Sequence, residues 1–335
     1  MPHSPLLRPA PTPTAPVGPA FRVHDALAVG HTLWSTAPAR MRRPTSSVRT
    51  LRPLREFPEL VGAFALALPD DVVFSHTTAA RLWRIPLPRA LNEDRGLHVM
   101  RATPRSRIVR KGCISHKGLE RRHVDEVGGL AVTSLADTWL DLIQAFHDRL
   151  SIADAVMVGD AVVERLHPTK FVHDLHPQSD PASGSWWQDP QALGCADLLT
   201  RFHGRPPIKG RGLVRKALGL VRPRVWSPME SYSRVALVQD GIPEPSLNVE
   251  IRSDDDPRRT VIGDMGWSKG CYRTKVVGEY NGATHEEQER RESDHSKRLF
   301  LEDHGFKLLE IYARDVSNGA RRRDLVGRLA LWLGL

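Results

Sequence analysis

SPMESYSRVALVQDGI (227–242), SLNVEI (246–251), TVIGDMGW (260–267) and TKVVGEYNG (274–282) follow one another with short turns between them, and their reading decides the fold. The first is a helix: Ser227 can cap it, Pro228 suits its first position, and Gly241 stops it. The next three are strand-like runs, divided by the polar DDDPRR and SKGCYR turns. HEEQERRESDHSKRLFLEDHG (285–305) then reads as a long polar helix ending at Gly305. FKLLEIYA (306–313) is another strand, and 317–333 a final amphipathic helix. The order helix, three strands, helix, strand, helix fits within about 110 residues, one compact domain by size.

Upstream the pattern is helical. VTSLADTWLDLIQAF (132–146) has Thr133 or Ser134 as cap and an apolar face of Leu135, Trp139, Leu142 and Ile143. SIADAVMVGDAVVERL (151–166) follows, then a loop at 167–190 and two further helices at 190–202 and 211–221. Earlier still, FPELVGAFALALP (57–69) and SHTTAARLWRIPLP (75–88) predict two short helices before a basic strand region at 97–117. Residues 1–20 hold seven of the 26 prolines and form a disordered or polyproline-like tail. Four segments result: 1–20, a basic 21–130, a helical connecting 131–223, and 224–335.

Charge is distributed unevenly among them. Residues 1–130 carry 20 Lys+Arg against 10 Asp+Glu, residues 131–223 carry 10 of each, and residues 224–335 carry 18 against 19. The net +9 of the chain is thus an N-terminal excess of +10, a neutral middle and −1 at the C-terminus. A one-sided basic region is a candidate footprint for a polyanion, with Arg101, Arg105, Arg107, Arg110 and Lys111 as phosphate contacts, or else a solvated face. The N-terminus lacks the apolar core of a secretory signal, no run reaches the ~18 apolar residues of a membrane span, and Cys113, Cys195 and Cys271 form no disulfide framework. A cytoplasmic protein with no membrane partner is expected.

Three acidic residues are placed where the C-terminal order would gather them: Glu230 in the first helical turn, Asp264 on the second strand and Glu279 on the third. Carboxylates on the ends of adjacent strands can share Mg²⁺, a hard cation that takes oxygen ligands. Each also has a plain structural role open to it. Glu230 completes an S-x-x-E capping box with Ser227, and Glu279 could pair with Arg273 or Lys275.

With Glu230, Asp264, Glu279-x-Asn281-Gly282 and His285 on this order of elements, residues 225–318 resemble the PD-(D/E)xK nuclease superfamily. The nearer likeness is to the branch related to very-short-patch-repair endonucleases, seen as a C-terminal domain of actinobacterial proteins. SHTTAARLWRIPLP, VTSLADTWLDL and VMVGDAVV resemble the N-terminal halves of those proteins, some labelled after abortive-infection (type IV) antitoxins, which begin with a winged helix. The resemblance implies an α/β multi-domain chain: a restriction-endonuclease-like αβββαβα domain after a mostly helical α+β N-terminal region.

It further implies Asp264 as central metal ligand, Glu279 as second ligand, and Glu230 as a carboxylate holding metal or water. Asn281 stands where many relatives carry the catalytic Lys, so that charge comes from Lys275, Lys297 or His285, or is absent. His285 would protonate a leaving group or orient water. Asp294 and Arg298 match a D-x-x-R-like pattern of the next helix that would face the phosphate, and Lys297 and Arg298 would contact nucleic acid. The implied cofactor is Mg²⁺, or Mn²⁺, and the implied partner is DNA, with RNA also open. Two readings follow: a metal-dependent endonuclease, or a catalytically silent DNA-binding regulator of antitoxin type with a toxin partner.

Overall fold

A computed structural model describes residues 20–32, 36, 41–168, 193–253, 255–256, 258–268, 272–282 and 288–335, with main chain alone at 193–194 and 288–294. The structure is mixed α/β and divides into two compact units. The first comprises the chain up to Trp83 with Asp94–Ser134; the second comprises Arg84–Glu93 with Leu135–Leu335.

The first unit contains β1 (Ala20–Arg22), α1 (Val23–Ala28), β2 (Val48–Thr50), α2 (Phe57–Ala65), β3 (Val73–Phe74), α3 (His76–Leu82), β4 (Leu97–Arg101), β5 (Cys113–Lys117), β6 (Val124–Val127) and β7 (Leu130–Thr133). The last five strands form one sheet in the order β5-β4-β3-β7-β6, with β4–β5 and β3–β7 parallel. Its apolar face, with Phe74, Leu97, Val99 and Val132, packs against Val61 and Phe64 of α2 and Leu82 of α3. With four helices following this sheet between Leu135 and Leu218, the described chain before residue 224 is mostly helical and α+β, as expected. The β6–β7 hairpin turns at Gly128 and Gly129, whose φ angles of 58° and 78° are those a two-residue primed turn demands. Its strands are four residues each and β6 is largely exposed, so VDEV carries little apolar signal. The boundary expected at 130/131 falls inside this hairpin.

The second unit opens with α4 (Leu135–Phe146), α5 (Ile152–Leu166), α6 (Leu193–His203) and α7 (Arg211–Leu218). It continues with α8 (Pro228–Gln239), β8 (Ser246–Arg252), β9 (Thr260–Trp267), β10 (Lys275–Tyr280), α9 (Gln288–Asp303), β11 (Phe306–Ile311), α10 (Ala313–Ser317) and α11 (Gly319–Leu333). Two caps act as their residue types dictate. Ser151 and Asp154 form a capping box on α5, and the Ser227 hydroxyl accepts the Glu230 N–H at 3.2 Å on α8. The sheet runs β11-β10-β9-β8, antiparallel from β8 to β10 and parallel between β10 and β11. Met265, Trp267, Val276, Leu309 and Ile311 meet Leu325, Leu329 and Leu333 of α11 in its core.

The helices expected as a separate connecting segment (131–223) fall in the same unit as this sheet, and buried ion pairs explain why. Arg205 of the α6–α7 connection donates from Nη1 to Asp141 at 2.8 Å and from Nε to Asp137 at 3.0 Å, tying that connection to α4. Asp160 of α5 accepts from Ser231 Oγ at 2.7 Å and Arg234 Nη2 at 2.9 Å, both on α8. Asp160 and Arg234 are fully buried, so each charge depends on the other. Among the described residues, no helix is long and apolar enough to cross a membrane.

Asp160→Ala leaves the Arg234 guanidinium buried against Glu244 alone and should cost about 3–5 kcal/mol in urea unfolding. Adding Arg234→Met removes the stranded charge and should recover most of that loss. A double variant no more stable than Asp160→Ala would show that the pair is not what joins the helices to the sheet.

Candidate active site

The sheet brings the acidic residues near one another. Between β9 and β10, Trp267 pairs with Val276, Gly266 with Val277 and Met265 with Gly278, and the ladder ends there, next to Asp264 and Glu279. Between β10 and β11 Glu279 pairs with Glu310, so those two side chains share a face. A Cβ on Gly263 would meet Val277 and Glu279 while Met265 packs in the opposite core, so strand alternation is broken at Asp264. On β8, Asn248 lies between Leu247 (paired with Met265) and Val249 (paired with Gly263).

Each carboxylate is held separately. Asp264 Oδ2 accepts the Tyr280 N–H at 2.8 Å. Glu230, buried in the first turn of α8, accepts from the Trp226 N–H at 3.1 Å and from Asn248 Nδ2 at 3.2 Å. Glu279 Oε1 lies 2.7 Å from Lys297 Nζ on α9, an ionic contact whose angles fall outside hydrogen-bond geometry. Glu310 accepts from Asn281 Nδ2 at 3.1 Å and Arg298 Nη2 at 2.9 Å. The backbone beside Glu230 is strained: Asn248 and Arg224 have φ of 45° and 61°, and each donates a side-chain N–H to the other's carbonyl. Left-handed conformations at non-glycine residues cost of order 1–3 kcal/mol and persist where surrounding structure over-determines them. Gly263 has its own constraint, since a Cβ there would lie 2.6 Å from Val277 Cγ1 and 3.4 Å from Glu279 Oε1.

Burial pushes all three sequence-predicted carboxyls above their ordinary values. The Asp264 charge raises Glu230 and Glu279 further, while Lys297 opposes the rise at Asp264 and Glu279. The cluster thus has more negative charge than its surroundings favour. The donor set suits a hard divalent cation on Asp264 and Glu279, because oxygen ligands and relief of mutual repulsion are what such an ion supplies. As a compact trio, however, the expected set is not assembled. Among the described residues, the one group of three His, Cys, Asp or Glu side chains with ligand atoms within 4.8 Å of one another is His76, His98 and His116, on the first unit. Glu230 is kept apart by its bonds to Trp226 and Asn248.

The remaining predicted residues separate by what they touch. Asn281 binds Glu310 instead of standing in for a cation. Lys297 meets Glu279, and Arg298, though half-exposed, is paired with Glu310. His285 and the side chain of Asp294 lie outside the described residues. In the basic run, Arg101 makes a bidentate pair with Asp71 and holds that carboxyl below its ordinary value. Arg105 lies 3.3 Å from the same carboxylate. Arg107 donates to the Ser115 carbonyl, and Arg110 to Thr45 and Ser46. These contacts bracket the β4–β5 connection; Arg105, Arg107 and Lys111 remain exposed to solvent. Asn248 and Glu310 escaped the sequence reading. Glu310 was accessible as a carboxylate in an apolar strand run, the same signal that marked Asp264.

No protein-family model, curated protein or solved structure matches the chain.

Because the raised Asp264 carboxyl disfavours its charged form in the fold, Asp264→Asn should raise the melting temperature of metal-free protein at pH 7. The gain should shrink as pH falls and vanish below the ordinary value of 3.8, where both proteins are neutral at this position. Added Mg²⁺ should stabilise wild type and leave the variant unchanged. Thermal melts from pH 3 to 8 (a range chosen to span the roughly 4 of an unperturbed Asp) measure both effects.

Proposed function

We propose that the second unit is a Mg²⁺-dependent endonuclease of the PD-(D/E)xK class, hydrolysing DNA phosphodiesters in the cytoplasm. The observation that carries this reading is the Lys297 ammonium 2.7 Å from Glu279, beside an Asp264 whose charge raises the Glu279 carboxyl. A lysine beside the second acidic residue is what the nuclease resemblance implies. Here it is borne by α9 instead of β10, which answers the Asn at 281. Further support comes from the helix–strand–strand–strand–helix–strand–helix order of α8 to α11, as the restriction-endonuclease-like resemblance implies.

Asp264 and Glu279 would hold the cation, with the buried Glu230, close enough to feel the Asp264 charge, orienting a water. Mg²⁺, when bound, would lower the pKa of water and neutralise charge on the phosphate. The Lys297 ammonium is positioned by Glu279 and lies where negative charge would build as water adds to phosphorus and the P–O bond to the leaving oxygen breaks. Arg298, turned from Glu310, could take a phosphate oxygen. His285, outside the described residues, keeps the proton-donor role that the resemblance implies.

A plasmid nicking assay with Mg²⁺ or Mn²⁺ tests this reading. Wild type should convert supercoiled DNA to nicked or linear forms, and Asp264→Ala should not. Lys297→Met should slow cleavage about 10²–10³-fold, the scale for losing one preorganised charge-stabilising group. Negligible, equal nicking by wild type and Asp264→Ala would remove the enzyme reading, and a single-stranded RNA substrate run in parallel decides between nucleic acids. One observation favours the silent antitoxin-like regulator instead: Lys297 and Arg298 are both spent on internal carboxylates. In that case DNA retention should weaken steeply with salt while no cleavage occurs.

A further inference from the structure

Three histidines spread over residues 76–116 converge in the first unit. His76 opens α3, His98 lies on β4 and His116 on β5. Leu97 and Val99 point into the apolar core, so strand alternation turns His98 to the opposite side. The parallel β4–β5 register pairs Met100 with His116, two residues along from His98, which puts both rings on one face. The first turn of α3 brings the third ring over them. One ring nitrogen from each residue lies within 4.8 Å of the other two, with His76 and His98 buried and His116 half-buried.

The details around the rings fit ligation. His98 Nε2 is 2.7 Å from Asp94 Oδ2, and that carboxylate also accepts from Thr77 Oγ1 at 3.0 Å. A carboxylate at Nε2 fixes the proton there and leaves Nδ1 with its lone pair directed at His116 Nε2, 2.8 Å away. A carboxylate behind a histidine is the arrangement that orients a metal-bound imidazole and raises its basicity. The His76 and His116 rings stack at 3.8 Å between centroids, and the His76 and His98 rings lie 5.2 Å apart, so all three rings are gathered at one place. His76 also holds φ at 51°, a strained conformation for a side-chain-bearing residue at a helix start, and that turn is what delivers its ring to the cluster.

We propose that His76, His98 and His116 form a binding site for one imidazole-preferring divalent transition cation of the Zn²⁺ class, with Asp94 positioning His98. Tetrahedral coordination at Zn–N distances of ~2.0–2.1 Å needs nitrogens about 3.3–3.4 Å apart, so His98 and His116 would open from 2.8 Å and the stacked His76 and His116 rings would swing apart to form a three-ligand site. A fourth position would open on the half-buried His116 side. The cation would fasten the start of α3 to β4 and β5. This site is independent of the carboxylates of the second unit, which offer oxygen ligands.

The test uses the full-length chain, stripped with EDTA and then dialysed against trace Zn²⁺ in excess Mg²⁺, which competes for the carboxylates. Bound zinc is counted by elemental mass spectrometry. Wild type and Asp264→Asn should each keep about one zinc per chain, as a three-His site predicts, while His116→Gln and His76→Gln keep none. Asp94→Asn should bind roughly 10–100-fold more weakly, the usual effect of removing a carboxylate behind a ligand. Loss of zinc in Asp264→Asn with retention in His116→Gln would overturn the proposal, as would a zinc-free wild type. Should the histidine variants not fold, Co²⁺ added to wild type decides the matter. Intense visible bands of four-coordinate cobalt, abolished by Zn²⁺, are expected, and the weak spectrum of an octahedral oxygen site would overturn the assignment.

Discussion

The Asp160–Arg234 pair is the constraint on which the second unit depends. Arg234 sits one turn beyond Glu230 on α8, and its guanidinium is gripped on one side by Asp160 of α5 and on the other by Glu244, 2.9 Å from each. Glu244 is itself paired with Arg222, and Asp160 takes the Arg222 N–H, so four residues close a ring of charge-assisted bonds. Burial pushes Asp160 upward despite these donors, which measures how costly the location is. Such a ring tolerates little rotation of α8 about its axis, because any turn would leave a buried charge unpaired. Fixing that rotation fixes where Glu230 points.

From that anchor the electrostatics of the sheet follow. Three strands each carry a carboxylate, and the chain offsets them unequally. Glu310 has a cation and an amide, Glu279 has Lys297 at 2.7 Å, and Asp264 accepts the Tyr280 N–H with Lys297 acting on it through its charge. Asp264 in turn raises Glu230 and Glu279. A fold under pressure only for stability would shed such a charge. Keeping it at the crossing of β9 and β10, beside a Gly263 that leaves no room for a side chain, is consistent with a site awaiting positive charge.

Much of this was legible in the sequence because the signals were local. Ser227, Pro228 and Gly241 bound α8, Ser151 opens α5, and the apolar strand runs marked β8 to β11 with Asp264 and Glu279 upon them. Lys297 was one of three residues named for the missing lysine, but only the packing of α9 selects it. What escaped depended on register or on distant pairing. Glu310 meets Glu279 only when β11 pairs with β10, and Asn248 reaches Glu230 only through a left-handed residue in β8. The β6–β7 hairpin was hidden by a charged, exposed strand, and its boundary was drawn through it. The histidines lie too far apart in sequence to form a motif, and only the parallel pairing of β4 with β5 and the turn into α3 bring them together.

The two units differ in the hardness of what they gather, and that difference has a chemical consequence. Imidazole nitrogens favour borderline transition ions, whereas clustered carboxylates favour Mg²⁺ and its like, which retain water and resist nitrogen ligands. The basic excess of the first 130 residues does not contradict a cation site there, because the charge is carried by arginines engaged with Asp71, Ser115, Thr45 and Ser46 along the β4–β5 connection, and the histidines themselves are uncharged in the ligating form. Nor does the near-neutral charge of the C-terminal segment argue against the proposed phosphate chemistry, which would rest on Asp264 and Glu279, not on net charge. On these proposals, affinity for a polyanion and affinity for a metal would be set by different groups in this chain and could be altered separately.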